Sequence, residues 1–141
     1  MSLIVNDRTI LSQKSDECAT IEEIAEIDKL LREEYKKHKD AYALAAPQLG
    51  IFKRVFITMI HGKLTTVVHP KILVQYEERK ETIEGCLSFP GTKILTNRPI
   101  NIEVTDATEK TIKLSGMEAI GFQHEYDHLE CITFHNVGML V

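Results

Sequence analysis

The stretch Met117–Cys131, MEAIGFQHEYDHLEC, constrains this chain more than any other. It contains His124-Glu125-Tyr126-Asp127-His128, an H-E-x-x-H pattern. On a helix, residues four apart lie on one face, so His124 and His128 can reach a single metal ion. Glu125 stands one step round from that face and can reach a water at the same metal. The flanks read as helix. Ser115-Gly116-Met117-Glu118 has the form of a capping box, with Ser115 as N-cap and Glu118 reaching back. Met117, Ile120, Gly121, His124 and His128 then fall on one side, and Gly121, one turn before His124, leaves room beside the metal. The plain alternative is a helix whose histidines are satisfied structurally. A third ligand decides between the two.

H-E-x-x-H enzymes commonly draw that ligand from downstream. One class carries a histidine six residues after the second, where this chain has Phe134, and a glycine three residues after it, where this chain has Cys131. Another class uses a glutamate about twenty residues on, and only 13 residues follow His128. Cys131 shares the helix face, but at 1.5 Å rise per residue it lies about 10 Å along the axis from His124. Atoms bound to one metal lie about 3–3.5 Å apart, so Cys131 reads as a packed thiol, and His135 is similarly remote. Upstream, Cys18 precedes a helix start with no local ligand geometry. Cys86 sits between Gly85 and a loop, and a strand end beside a helix is a good place to offer a thiolate. Cys86, His124 and His128 would leave one position open for water, as a catalytic site requires.

The 141 residues fit one domain, 1–141. With 43% hydrophobic and 27% charged residues the composition is that of an ordinary globular chain. A net charge of -4 gives no support for nucleic-acid binding. No apolar run approaches the ~18 residues of a membrane span. Asp7 and Arg8 fall where a signal peptide would be apolar, and the three cysteines form no regular framework, so a cytoplasmic, reducing location is expected.

Residues 4 to 19 read as irregular or short extended structure. Thr20-Ile21-Glu22-Glu23 opens a helix as a second capping box. Ile21, Ile24, Ile27, Leu31 and Tyr35 form its apolar face with Leu30 beside them, opposite Glu22, Glu23, Glu26, Arg32, Glu33, Lys36 and Lys37. The small, uncharged run Ala41–Gly50 reads either as a place of close backbone approach or as a buried helix-to-strand connection. Val55–Ile60, Leu64–Val68 and Ile72–Tyr76 read as strands, the first two joined by a turn at His61-Gly62-Lys63. Glu81–Ser88 follows, then a loop signal at Phe89-Pro90-Gly91. Ile100–Asp106 alternates as a half-buried strand, and Thr111–Leu114 pairs with it. The expected class is α+β: mostly antiparallel sheets packed around the central H-E-x-x-H helix, with an N-terminal helix.

Three segments together resemble the peptide deformylase family, whose motifs are G-x-G-x-A-A-x-Q, E-G-C-L-S and Q-H-E-x-D-H. Here they stand as Ala41–Gln48, Glu84–Ser88 and Gln123–His128, and the second and third are complete. The resemblance covers nearly the whole chain, including Arg98 after the loop. It implies removal of the formyl group from N-formylmethionyl nascent peptides, possible work near the ribosome, and one divalent metal, Fe(II) natively with Zn(II), Ni(II) or Co(II) as substitutes. It further implies Cys86, His124 and His128 as ligands, Glu125 as proton carrier, and the Gln48 side chain and Leu87 N–H as oxyanion donors. Glu84 would pair with Arg98 to hold the ligand loop, and Gln123 and Asp127 would support it. Substrate would lie extended along Tyr42, Ala43 and Leu44, its methionine side chain in a pocket of Met117, Ile120, Gly121 and His124. Two departures stand out: the glycines of the first motif are Ala41 and Ala43, and the glycine that usually follows the third motif is Cys131. The long C-terminal helix of many bacterial members has no counterpart, as in short phage-type or organelle-related forms. The expected location is the cytoplasm of a bacterium, or of a host cell if the chain is phage-encoded. A weak deformylase-like protein that binds formylated N-termini, or uses its metal structurally, is the alternative. A general metallopeptidase is a weaker third.

Overall fold

Apolar side chains at helical spacing bury one side of the first long helix, and β-branched runs supply the sheets. The computed structural model describes residues 3–141. In chain order come α1 (Arg8–Leu11), α2 (Ile21–Tyr35), β1 (Ala43–Ala45), a 3-10 turn (Ala46–Leu49), β2 (Val55–Ile60), β3 (Lys63–Val68), β4 (Lys71–Gln75), β5 (Arg79–Cys86), β6 (Phe89–Pro99), β7 (Asn101–Thr105), β8 (Ile112–Ser115), α3 (Gly116–Leu129), a second 3-10 turn (Phe134–Asn136) and β9 (Gly138–Leu140). The strands form three antiparallel sheets of three, ordered β1-β2-β3, β4-β7-β8 and β5-β6-β9. Among the described residues no helix is long and apolar enough to cross a membrane.

Helix α3 lies at the centre. Ala119, Phe122 and Leu129 pack with Phe56 of β2, Ile102 and Val104 of β7 and Leu114 of β8. The Phe56 and Phe122 rings meet edge to face at 5.1 Å, a favoured aromatic geometry. The polar residues Gln123, Glu125 and His128 are buried on the same helix. A helix buried on most sides has no solvated stripe, so its sequence lacks the alternation that marks α2. A second cluster joins Ile27 and Leu31 of α2 to Leu44, Val55 and Ile57. A third, of Leu11, Phe89, Ile94 and Phe134, packs against Cys86.

Several expectations need correction. Ile21 is 81% exposed; Glu34 is buried instead, held by His38 at 2.8 Å. Thr20 does cap α2, accepting from Glu23 N at 3.0 Å. Ser115 makes no such side-chain bond. Glu118 instead accepts from His61 N at 2.8 Å and Gly62 N at 3.0 Å. Both turn residues have positive φ, 50° and 79°, so their N–H groups converge, and a carboxylate there satisfies two donors. Phe89-Pro90-Gly91 is not a loop; it opens β6, the longest strand. The turn is Leu87-Ser88, and β6 pairs with β5 from Cys86↔Phe89 to Arg79↔Pro99. The tail also adds β9, whose Gly138 lies so close to β6 that a Cβ would sit 2.4 Å from the Leu95 carbonyl oxygen.

Cys131 stands at the end of α3 with φ 65°. Ile132 N donates to the Asp127 carbonyl at 2.8 Å, which makes this a Schellman ending with Cys131 at its left-handed position. A side chain there costs roughly 1–2 kcal/mol, partly offset because glycine loses more entropy on folding. Cys131→Gly is therefore expected to raise Tm by about 2–4 °C. A calorimetric scan giving no rise would mean that the thiol's packing outweighs the backbone strain.

Candidate metal centre

Sheet and helix bring three ligand types together. Cys86 is the last residue of β5, beside the Leu87-Ser88 turn. The β5–β6 register shifts between Glu84 and Cys86, with Pro90–Lys93 bulging out of β6. His124 and His128 sit one turn apart on α3, their rings 5.3 Å apart. The ligand atoms of Cys86, His124 and His128 all lie within 4.8 Å of one another. Cys86 Sγ lies 3.5 Å from His128 Nε2.

The imidazoles are fixed differently. His124 Nδ1 donates to Glu84 Oε1 at 2.8 Å, which leaves Nε2 facing the cysteine. Its ring packs edge-on against Phe134 at 5.5 Å, the position where another enzyme class carries a third histidine. His128 Nδ1 is buried without a partner, and burial holds this imidazole well below its usual pKa, in the neutral form a ligand requires.

Behind His124 lies a buried ion network. Arg98 donates through Nε to Glu84 Oε2 at 2.6 Å, through Nη2 to Glu84 Oε1 at 3.1 Å and through Nη1 to Asp127 Oδ2 at 2.9 Å. Thr96 also donates to Glu84. Burial alone would raise the Glu84 carboxyl, but the bonds from His124 and Arg98 outweigh it and hold it at about 2. Gln123 points elsewhere: its Nε2 donates to Pro99 O at 2.8 Å and Ala119 O at 3.0 Å. It ties α3 to the end of β6 and touches no ligand side chain through these bonds.

Glu125 is 3% exposed, and its Oε1 has no hydrogen-bond partner. Its Oε2 lies 3.9 Å from His124 Nε2. Burial pushes its pKa up to about 7; a cation among the neighbouring ligands would act in the opposite direction. Gln48, fully buried in the 3-10 turn after β1, accepts from Ala45 N at 2.9 Å. Its Nε2 donates to Ser88 Oγ at 3.0 Å and approaches Cys86 Sγ at 3.7 Å. A cysteine sulfur and two imidazoles that converge within 4.8 Å, with a partnerless carboxylate oxygen beside them, fit a divalent metal with an open position.

These groups open into a cleft of about 600 Å³. Ala41, Tyr42 and Ala43, Thr82–Leu87, and Met117, Ile120, Gly121, His124 and Glu125 all line it. Leu44 does not line it; its side chain is buried in the core with Ile27 and Leu31. The room expected at Gly121 is taken by Tyr42, because a Cβ on Gly121 would sit 2.6 Å from Tyr42 Cε1. Met117 is 55% exposed at the mouth, while Ile120 is buried. Thr96 and Ser88 escaped the sequence reading. Thr96 lies on the unrecognised strand β6, and Ser88 was visible only as the last letter of E-G-C-L-S.

Comparison with known proteins points to one family. The sequence profile described as polypeptide deformylase matches residues 1–138. The chain is 33% identical over 136 residues to a peptide deformylase of Natranaerobius thermophilus, covering 92% of this chain and 86% of that one. It is 33% identical over 142 residues to peptide deformylase 1 of Clostridium perfringens, covering 94% of each. Among solved structures it resembles a probable peptide deformylase from Synechococcus phage S-SSM7, with TM-score 0.84 and 35% identity over 96% of this chain and 98% of that one. The Thermotoga maritima peptide deformylase superposes with TM-score 0.83 at 28% identity over 96% of this chain and 95% of that one. The chain belongs to the peptide deformylase family, metal-dependent hydrolases that remove the N-formyl group from newly made proteins.

Proposed function

We propose that Cys86, His124 and His128 hold the catalytic metal of this deformylase, and that Glu125, Gln48 and Leu87 carry the reaction with it. The convergence of three ligand atoms within 4.8 Å beside a buried, half-unpartnered glutamate carries this reading. The metal is Fe(II) in the native state, with Zn(II), Ni(II) or Co(II) able to replace it. When bound, it supplies Lewis acidity, which makes water a competent nucleophile and polarises the formyl carbonyl.

The remaining work belongs to side chains. Glu125 takes the proton of the attacking water and delivers it to the departing amine, so one carboxylate serves both halves of the reaction. Gln48 Nε2 and the Leu87 N–H donate to the oxyanion that develops on the formyl oxygen. Gln48 is suited to this because its carbonyl end is anchored on Ala45 N, leaving the amide end aimed at the ligand turn. Glu84, Arg98 and Asp127 hold His124 and the turn in place; Gln123 holds the helix.

The substrate is an N-formylmethionyl nascent chain, met near the ribosome in the cytoplasm of a bacterium or of a phage's host. It lies extended between β1 and β5, whose unpaired edges face the cleft, and bonds to their backbone. Its methionine side chain points toward Met117, Ile120 and Gly121, with the Tyr42 ring as the side wall. Ala41 and Ala43 are compatible with this. Neither has positive φ, so neither suffers the strain that glycine relieves. Ala41→Gly should leave kcat/KM within about twofold. Ala43→Gly, by widening the cleft where substrate passes, should raise it by about two- to threefold; a decrease measured with formyl-Met-Ala-Ser would argue that the methyl groups order the strand.

The direct experiment is anaerobic purification, metal analysis and formate release from formyl-Met-Ala-Ser. One equivalent of metal with turnover is the expected result, and Cys86→Ala should lose both. Full metal occupancy in Cys86→Ala would assign the metal to other residues.

A further inference from the structure

A second stripe of α3, not the one that carries His124 and His128, lines a second cavity. Gln123, Tyr126, Asp127 and Glu130 follow one another at steps of three, one and three residues, which puts them on one side of the helix. They line a cavity of about 410 Å³, together with Arg98 and with Ile72, Leu73 and Val74 of β4. It shares no lining residue with the cleft at the metal centre.

The polar groups there are mostly acceptors. Gln123 is 3% exposed, and its Nε2 donates to two carbonyl oxygens, those of Pro99 and Ala119. Both amide N–H groups are thereby committed, and two carbonyl partners fix which end of the amide is nitrogen. What Gln123 offers the cavity is Oε1, which among the described residues accepts no hydrogen bond. Asp127 accepts from Arg98 Nη1 through Oδ2 at 2.9 Å, which leaves Oδ1. Glu130 accepts from Arg54 Nη2 through Oε1 at 3.2 Å, which leaves Oε2. Charge is unbalanced in the same direction: the carboxylates of Glu84, Asp127 and Glu130 share two guanidinium groups, Arg98 and Arg54. The strand side is apolar. The register of β4 against β7 shifts between Ile72 and Val74, so Leu73 is an extra residue in the strand. Leu73 is 52% exposed and Val74 38%.

We infer that this cavity binds an aliphatic ammonium ion, its N–H groups on Gln123 Oε1 and Asp127 Oδ1 and its hydrocarbon chain along Leu73 and Val74. A primary ammonium brings three donors and no acceptor, which complements the oxygens and the surplus carboxylate charge. Its methylene chain covers apolar strand that a hydrated metal ion leaves bare. The site is separate from the one that takes formyl peptides, and its ligand need not be a substrate.

The test uses the metal-loaded protein at constant ionic strength, with n-butylammonium as probe, read by calorimetric titration and thermal unfolding. Saturable binding with a Kd of about 1 mM is expected, with Tm rising by about 3–5 °C at roughly tenfold Kd. Methylammonium should bind about tenfold more weakly, having less chain to bury. Tetramethylammonium, with the same charge and no N–H, should not bind. Asp127→Asn should weaken n-butylammonium by about tenfold or more. Should that variant fail to fold, Glu130→Gln at the exposed end of the stripe decides, with an expected loss of about two- to threefold. Putrescine binding above N-acetyl-lysine methylamide would point to a free diamine, and the reverse order to a lysine side chain of a peptide; either supports the site. No saturable binding, equal shifts with tetramethylammonium, a response to magnesium instead of n-butylammonium, or unchanged affinity in the folded variants would overturn the inference.

Discussion

Glu125→Gln is expected to bind its metal at full stoichiometry and lose about 10²–10⁴-fold in kcat. The substitution keeps the side chain's size, so the buried site need not collapse around it. It removes only the ability to accept a proton. Glu125 is not within ligand reach in the way Cys86, His124 and His128 are: among the described residues, the convergent ligand group is those three. Its carboxylate oxygens are buried, one without any partner, and an unpaired buried carboxylate costs stability unless function uses it. Glu125→Gln should therefore also be as stable as the parent or more so. Metal analysis, thermal unfolding and formate release on one preparation separate the possibilities. Near-parental turnover at full metal content would remove Glu125 from the proton path; loss of metal together with activity would make it a ligand.

Legibility in the sequence followed the source of each element's signal. Helix α2 was readable because one face is solvated, and the hairpin β2–β3 because β-branched runs flank a glycine turn. Helix α3 was readable chiefly by its H-E-x-x-H chemistry and the Ser115–Glu118 spacing, since its burial weakens amphipathic periodicity. The convergence of Cys86 with the histidines is a contact between β5 and α3, 42 residues apart for Cys86 and His128, that no local pattern encodes. Phe89-Pro90-Gly91 looked like a loop because Pro and Gly usually punctuate turns. They are tolerated in β6 because that end of the strand bulges out of register beside Cys86. Strand β9 was missed because three residues carry too little pattern, and what defines it is the close approach that Gly138 permits. Ile21 and Glu118 misled for a shared reason: helical spacing and capping spacing are necessary for those roles, but neighbouring elements decide whether they are used. Gly121 was read as empty space, yet an absent side chain is an opportunity for whatever packs nearby, here Tyr42.

Arg98→Ala is expected to lower Tm by about 10 °C and to weaken metal binding by about 10–100-fold. Arg98 and Glu84 are each 7% exposed, and the guanidinium makes two bonds to Glu84 and one to Asp127. Removing it leaves two carboxylates in the interior facing each other with no cation between them, a loss of about 3–5 kcal/mol. The effect on the metal follows from the next link. Glu84 accepts from His124 Nδ1, and that bond sets which nitrogen is free to bind. Without Arg98, Glu84 can take up a proton, and it then no longer fixes His124. The two effects can be separated by Glu84→Gln, which keeps a hydrogen-bond acceptor for His124 but removes one of the opposing charges. If positioning is what matters for the metal, Glu84→Gln should retain more affinity than Arg98→Ala. If the negative charge behind the imidazole matters more, Glu84→Gln should be the weaker binder. Titration with Zn(II) under anaerobic conditions reads that order directly, and a Tm change below about 2 °C in Arg98→Ala would mean the buried network adds nothing to the stability of the fold.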